Sequence, residues 1–292
     1  MSPKHPLAEV FGFPTDNFSE EANRHRRDRL CPFNNKSPNC TKDSIEHPIG
    51  VCSVFHGDDV VITCPVRFRE EWRIASDAAT FFFPENAHWT SLTEVRLKDK
   101  HGKSAGNIDI VLLSYDHVGR IIDYGALEVQ SVYISGNIGV PFRHYMEAPE
   151  KRFDMNWLGH RNYPRPDYLS SSRKRLAPQL IYKGGILNAW KRKMAVAINS
   201  GFFQTLPPLE EVPAQQAEMA WFVYELSFNP DLKKYSLRKD RVVYTMFEPS
   251  LHKITRSEAG NEEDFLAKLQ AKLNRKLDNG NPSGFAADAH DE

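Results

Sequence analysis

A chain of 292 residues with 40% apolar and 26% charged residues has the composition of a globular protein, enough for one large domain or two smaller ones. No apolar run is long enough to cross a bilayer, and Met1-Ser2-Pro3-Lys4-His5-Pro6-Leu7 holds no apolar signal core; a cytoplasmic protein with no membrane partner is expected. The 38 basic and 38 acidic side chains cancel, which excludes a uniformly basic binder of nucleic acid but leaves room for a local basic face.

In chain order, the cysteines come first. All four, Cys31, Cys40, Cys52 and Cys64, lie in one early window. Four clustered thiolates suit a tetrahedral site for zinc or a single iron. Proline follows Cys31 and Cys64, and Gly50 precedes Cys52, residues that help a backbone turn around a metal. The C-x-x-C pair typical of zinc sites is missing, so two disulfides or buried free thiols are the alternatives; a cytoplasmic compartment disfavours the disulfides. Residues 1–67 are read as a small metal-binding module that draws folding energy from its metal, with Ser19-Glu20-Glu21 opening a short helix.

A main domain is expected over residues 68–278. Phe68, Trp72, Ala75, Ala79 and Phe82 recur at helical spacing until Pro84. Residues 93–97, 108–114 and 121–133 read as an antiparallel meander of strands joined by polar turns. A helix follows over residues 177–203, with Gly184-Gly185 as a weak or close-packed point. Residues 221–228 and 241–247 form a strand pair turned by Asn229-Pro230-Asp231, and Leu266, Leu269, Leu273 and Leu277 mark a closing helix. Residues 279–292 read as a disordered tail. A strand, a long helix and another strand in one sheet require a crossover, so the fold class is α/β, a mixed central sheet flanked by helices.

The meander carries the chemistry. Asp109 lies on one strand, and Glu128 and Gln130 share a face of the next. Acids within apolar strands are costly unless something pairs with them. A turn centred between Val118 and Gly119 sets Asp109 opposite Glu128, and a slip of one residue sends them to opposite faces. Opposed carboxylates raise each other's pKa unless a cation lies between them. Mg²⁺ suits two carboxylates and a backbone carbonyl such as that of Val129, and Glu94 could add a third carboxylate. The alternative is that Asp109 and Glu128 pair with Lys or Arg. From Tyr168 to Leu209 there is no acid, while Arg173, Lys174, Arg175, Lys183, Lys191 and Arg192 fall there. With Arg24, Arg26 and Arg27, this block is read as contacting DNA phosphates, or else as a solvated helix face.

An Asp on one strand followed by Glu-x-Lys on the next is the signature of the PD-(D/E)xK nucleases, which this chain resembles except that Gln130 stands at the lysine position. More closely, it resembles the NotI restriction endonuclease family. The likeness lies in Cys31-Pro32-Phe33, Gly50-Val51-Cys52, Cys64-Pro65, Tyr124-Gly125-Ala126-Leu127-Glu128-Val129-Gln130 and Ala220-Trp221-Phe222-Val223-Tyr224-Glu225-Leu226. The resemblance implies a PD-(D/E)xK core and a type II restriction endonuclease that hydrolyses double-stranded DNA at a GC-rich palindrome. It implies Mg²⁺ at Asp109 and Glu128, Glu94 and Gln130 as further catalytic residues, and iron in preference to zinc at the four cysteines. A palindromic target implies a homodimer. The rival reading is a catalytically inactive, sequence-specific DNA-binding protein on the same fold.

Overall fold

A computed structural model describes residues 4–44, 46–257 and 259–278. It divides into two units, Met1–Thr255 and Arg256–Glu292.

The first unit opens with a four-stranded antiparallel sheet of order β2-β1-β3-β4, built from β1 (Leu7–Val10), β2 (Phe13–Pro14), β3 (Val51–His56) and β4 (Asp59–Ile62). The β3–β4 turn is legible in His56-Gly57-Asp58-Asp59, where Gly57 takes φ 63°, a left-handed backbone that glycine adopts without strain. Between β2 and β3, the expected helix α1 spans Glu20–Asp28, and the Ser19 side chain accepts the Ala22 N–H.

Arg67 ties this sheet to the rest of the unit. It is fully buried and donates to Glu9 at 3.0 Å, Glu70 at 2.5 Å and the Tyr235 carbonyl at 2.9 Å. Its guanidinium also lies 4.2 Å from the centre of the Phe33 ring. Glu70 in turn accepts the Leu237 N–H at 2.7 Å. The expected helix from Phe68 to Phe82 is consequently two pieces. A 3₁₀ segment, Pro65–Trp72, kinks at Glu70 and Glu71, and α2 runs from Arg73 to Phe82.

The second sheet has six strands in the order β12-β11-β10-β7-β6-β5. The expected meander is β5 (Trp89–Lys98), β6 (Ser104–Tyr115) and β7 (Ile121–Gln130), all antiparallel neighbours. A two-stranded ribbon, β8 (Tyr133–Ser135) with β9 (Arg165–Asp167), leads into a helical run over residues 168–189. Here the structure corrects the helix expected over residues 177–203. The helix ends at Ala189, and β10 (Met194–Asn199) follows as a buried strand between β7 and β11, parallel to both. Strands buried on both faces lose the alternation that betrays a strand, and Met194-Ala195-Val196-Ala197-Ile198-Asn199 is apolar on both sides. The sheet closes with the antiparallel pair β11 (Met219–Asn229) and β12 (Lys234–Thr245), as the turn at Asn229 predicts.

Helices cover both faces, so the α/β class with a mixed sheet holds. On one face, Ile110, Leu112, Leu127 and Val129 share a core with Ala75, Ala78 and Phe82 of α2. On the other, Val111, Ala126 and Val196 share a core with Leu176, Leu180 and Leu187 of the helical run. Gly184 is a close-packed point: a Cβ there would lie 2.5 Å from the Phe247 ring.

In the second unit, the expected closing helix spans Glu262–Asp278. The predicted tail, 279–292, lies outside the described residues. Among those described, no helix is long and apolar enough to cross a membrane.

Candidate active site

The β6–β7 ladder pairs Ile110 with Leu127 and runs through Ser114 opposite Asp123. This is the register that a turn centred between Val118 and Gly119 demands; carried one residue further, it sets Asp109 beside Glu128. An irregularity between Ser114 and Tyr115 adjusts the strands close to the turn. Asp109, Glu128 and Gln130 therefore project from the sheet face that the helical run covers.

The three side chains differ in depth. Asp109 is half-buried, while Glu128 and Gln130 are buried. Asp109 Oδ2 accepts the Val129 N–H at 2.8 Å, so Val129 meets the site through its N–H. Glu128 Oε2 accepts from Lys183 Nζ at 2.5 Å, and Lys183 Nζ also donates to the Asn107 carbonyl at 2.8 Å. Glu128 Oε1 is buried with no partner. The Gln130 amide donates to the Gln179 side chain. Burial raises the Glu128 carboxyl pKa, and the neighbouring Asp109 raises it further; Lys183 pulls the other way, and the result is a value of about 8.

Lys183 thus departs from the open phosphate-binding face assigned to it. It is 4% exposed and turned into the site, a position that charge pattern alone does not signal. The helix beneath it is adapted. Pro178 has no N–H, and on either side of it the helix widens into π-turns, Ser172–Leu176 and Leu180–Gly184. Lys183 lies in the second of these.

Glu94 is not gathered with this pair. Thr93 opposite Ile110 and Val95 opposite Ile108 bracket it against Asp109 in the ladder. Its backbone is left-handed, φ 58°, and its half-exposed carboxylate lies 3.9 Å from Arg69 Nη2. The left-handed backbone turns the side chain out of line with the strand. Among the described residues, no three His, Cys, Asp or Glu side chains are grouped so that they could hold a metal. Chemically, Asp109 and Glu128 still fit a hard divalent cation: two carboxylates are adjacent, and one buried carboxylate oxygen has no partner.

The other predicted cations vary in setting. Arg173, Lys174 and Lys191 are exposed. Arg175 donates to Ser131 and lies over the Tyr133 ring, while Arg192 pairs with Asp123 and lies over the Tyr124 ring. Arg26 is structural: it is buried and donates to the carbonyls of Asn17 and Pro14, each at 2.6 Å.

The four cysteines are all free. Cys31 and Cys40 lie on the two arms of a loop closed by the Leu30–Asn39 bridge, and the Cys64 N–H reaches the Cys52 carbonyl at 3.2 Å beside the β3–β4 hairpin. Burial pushes the Cys31 thiol up to about 11 and raises those of Cys40 and Cys52; in each case the neighbouring Cys64 adds to the shift. Four neighbouring thiols are a donor set that suits zinc or iron, although among the described residues they are not grouped as a metal site.

The mixed sheet thus carries two adjacent acids, Asp109 and Glu128, beneath a helical run that bears several cations. Residues 16–237 match the family model for restriction endonuclease NotI, and this match defines the chain as a type II site-specific deoxyribonuclease acting on double-stranded DNA. It belongs to the NotI restriction endonuclease family. Among curated proteins, none matches this chain.

Proposed function

We propose that this endonuclease hydrolyses phosphodiester bonds with Mg²⁺ held by Asp109 and Glu128, at a palindromic, GC-rich site read by a homodimer. One observation carries the reading: Asp109 and Glu128 lie side by side on a covered sheet face, where no protein donor reaches the buried Glu128 Oε1. When bound, Mg²⁺ would supply Lewis-acid stabilisation of the phosphate and activation of water. Asp109, fixed by the Val129 N–H, and Glu128, fixed by Lys183, are held in place before DNA arrives. Gln130 is neutral, and its amide, tied to Gln179, orients neighbouring groups without supplying charge. Glu94, whose carboxylate lies towards Arg69, is left out of the Asp109–Glu128 pair. Arg173, Lys174, Arg175, Lys191 and Arg192 contact phosphates, and arginines bidentate to guanine would read GC pairs. Residues 1–67 form the metal-binding module, with iron or zinc at Cys31, Cys40, Cys52 and Cys64.

Supercoiled plasmid incubated with Mg²⁺ tests the reading. Discrete fragments with self-complementary ends are expected. Retained sequence-specific binding without cutting would favour an inactive DNA-binding protein.

A further inference from the structure

We infer that Lys183 is the positive charge of the cleavage site, carried in from the helix while the strand position two residues after Glu128 is held by the neutral Gln130. The inference rests on the reading of Asp109 and Glu128 as the cleavage centre.

Two cross-ties join β7 to the helical run. Glu128 meets Lys183, and Gln130 meets Gln179. Two residues along the strand correspond to four along the helix, so the ties lie side by side and the groups at 130 and 183 share one face of β7. Of these groups only Lys183 is charged. Its ammonium has three donors; Glu128 Oε2 and the Asn107 carbonyl take two, which leaves one N–H for a ligand. The site opens to solvent at Asn107, which is exposed, and at the half-buried Asp109, with Glu128 on its floor. A phosphate entering over Asp109 comes within reach of that donor.

Burial on this scale argues against an incidental role. A buried lysine costs desolvation that an apolar side chain would not, and its neighbours Leu180 and Leu187 show that this face accepts apolar groups. The stem passes over β6 at Gly106, where a Cβ would lie 3.6 Å from Lys183 Cδ. Lysine at position 183 is therefore placed from both ends: its stem over β6 and its ammonium at the carboxylate. Phosphoryl transfer draws its catalysis largely from positioned charge. Lys183 acts through that charge alone, and no bond to it forms or breaks.

The experiment compares wild-type protein with Lys183→Met and with the double variant Lys183→Met/Gln130→Lys. The readouts are plasmid cleavage, melting temperature, and Mg²⁺ binding by calorimetry without DNA. If wild-type protein does not cut, the cleavage centre itself is wrong; if it cuts, the variants judge Lys183 alone. A folded Lys183→Met protein is expected to bind Mg²⁺ with altered affinity, having lost the cation bonded to Glu128, and to cut at least about a hundredfold more slowly. The double variant, which returns a cation to the same sheet face from the strand, is expected to regain at least about tenfold. Should the single variant fail to fold, the double variant alone decides, and cutting by it supports the inference. Unchanged Mg²⁺ affinity, cleavage close to wild type in folded Lys183→Met, or no cutting by a folded double variant would each overturn it.

Discussion

Glu128 links the chemistry of the site to the stability of the fold. Burial and Asp109 raise its pKa from 4.5 to about 8, so across that range the native protein holds a proton that the unfolded chain has released. The stability this group contributes is full below 4.5 and is lost as pH rises through about 8. Denaturant unfolding in chelator should therefore show stability falling by a few kcal/mol between about pH 5 and pH 8, and Glu128→Gln should flatten the fall; a wild-type protein equally stable at both ends would refute the assignment. Asp109, Glu128 and Gln130 were legible in the sequence because strand alternation and the turn residues together fix a register. Lys183 was not, since a lysine among other cations on a helix reads as solvated, and only the packing of that helix on the sheet reveals the inward turn. The left-handed backbone at Glu94 was equally hidden, because no residue type there announces it.

At the scale of elements, the sequence discloses strands that are bounded by turns and conceals one that follows a helix directly. The meander β5–β7 and the pair β11–β12 are set off by marked turns, and β5 alternates, whereas β10 is apolar on both faces and no Gly or Pro separates it from the helix before it. The N-terminal strands β1 and β3 are buried on both faces and show no alternation, and Gly57 marks only the β3–β4 turn. The joint between the two sheets depends on Arg67, buried against Glu9 and Glu70. Removing one member of a buried ionic network leaves the others without compensation. Arg67→Met is expected to destabilise the protein by about 3–5 kcal/mol in denaturant titration; a loss under about 1 kcal/mol would mean that the two sheets are held by apolar packing alone.

For the whole molecule, four cysteines and one pair of carboxylates are assigned separate tasks. Burial raises the Cys31, Cys40 and Cys52 thiols, so a metal binding there must displace protons. Elemental analysis of purified protein should find about one iron or zinc per chain, and Cys52→Ala should lower the melting temperature or DNA binding while any folded fraction keeps its rate of cleavage per bound site. A stable protein free of metal would end the tetrathiolate assignment. The central claim, that Asp109 and Glu128 form the Mg²⁺-dependent cleavage centre, is met most directly by plasmid cleavage with wild-type protein and Asp109→Ala, each also assayed for DNA binding. The account predicts discrete Mg²⁺-dependent fragments from wild-type protein, and from Asp109→Ala binding preserved with cleavage reduced by at least about a thousandfold. An Asp109→Ala protein that still cuts at the wild-type rate would contradict it.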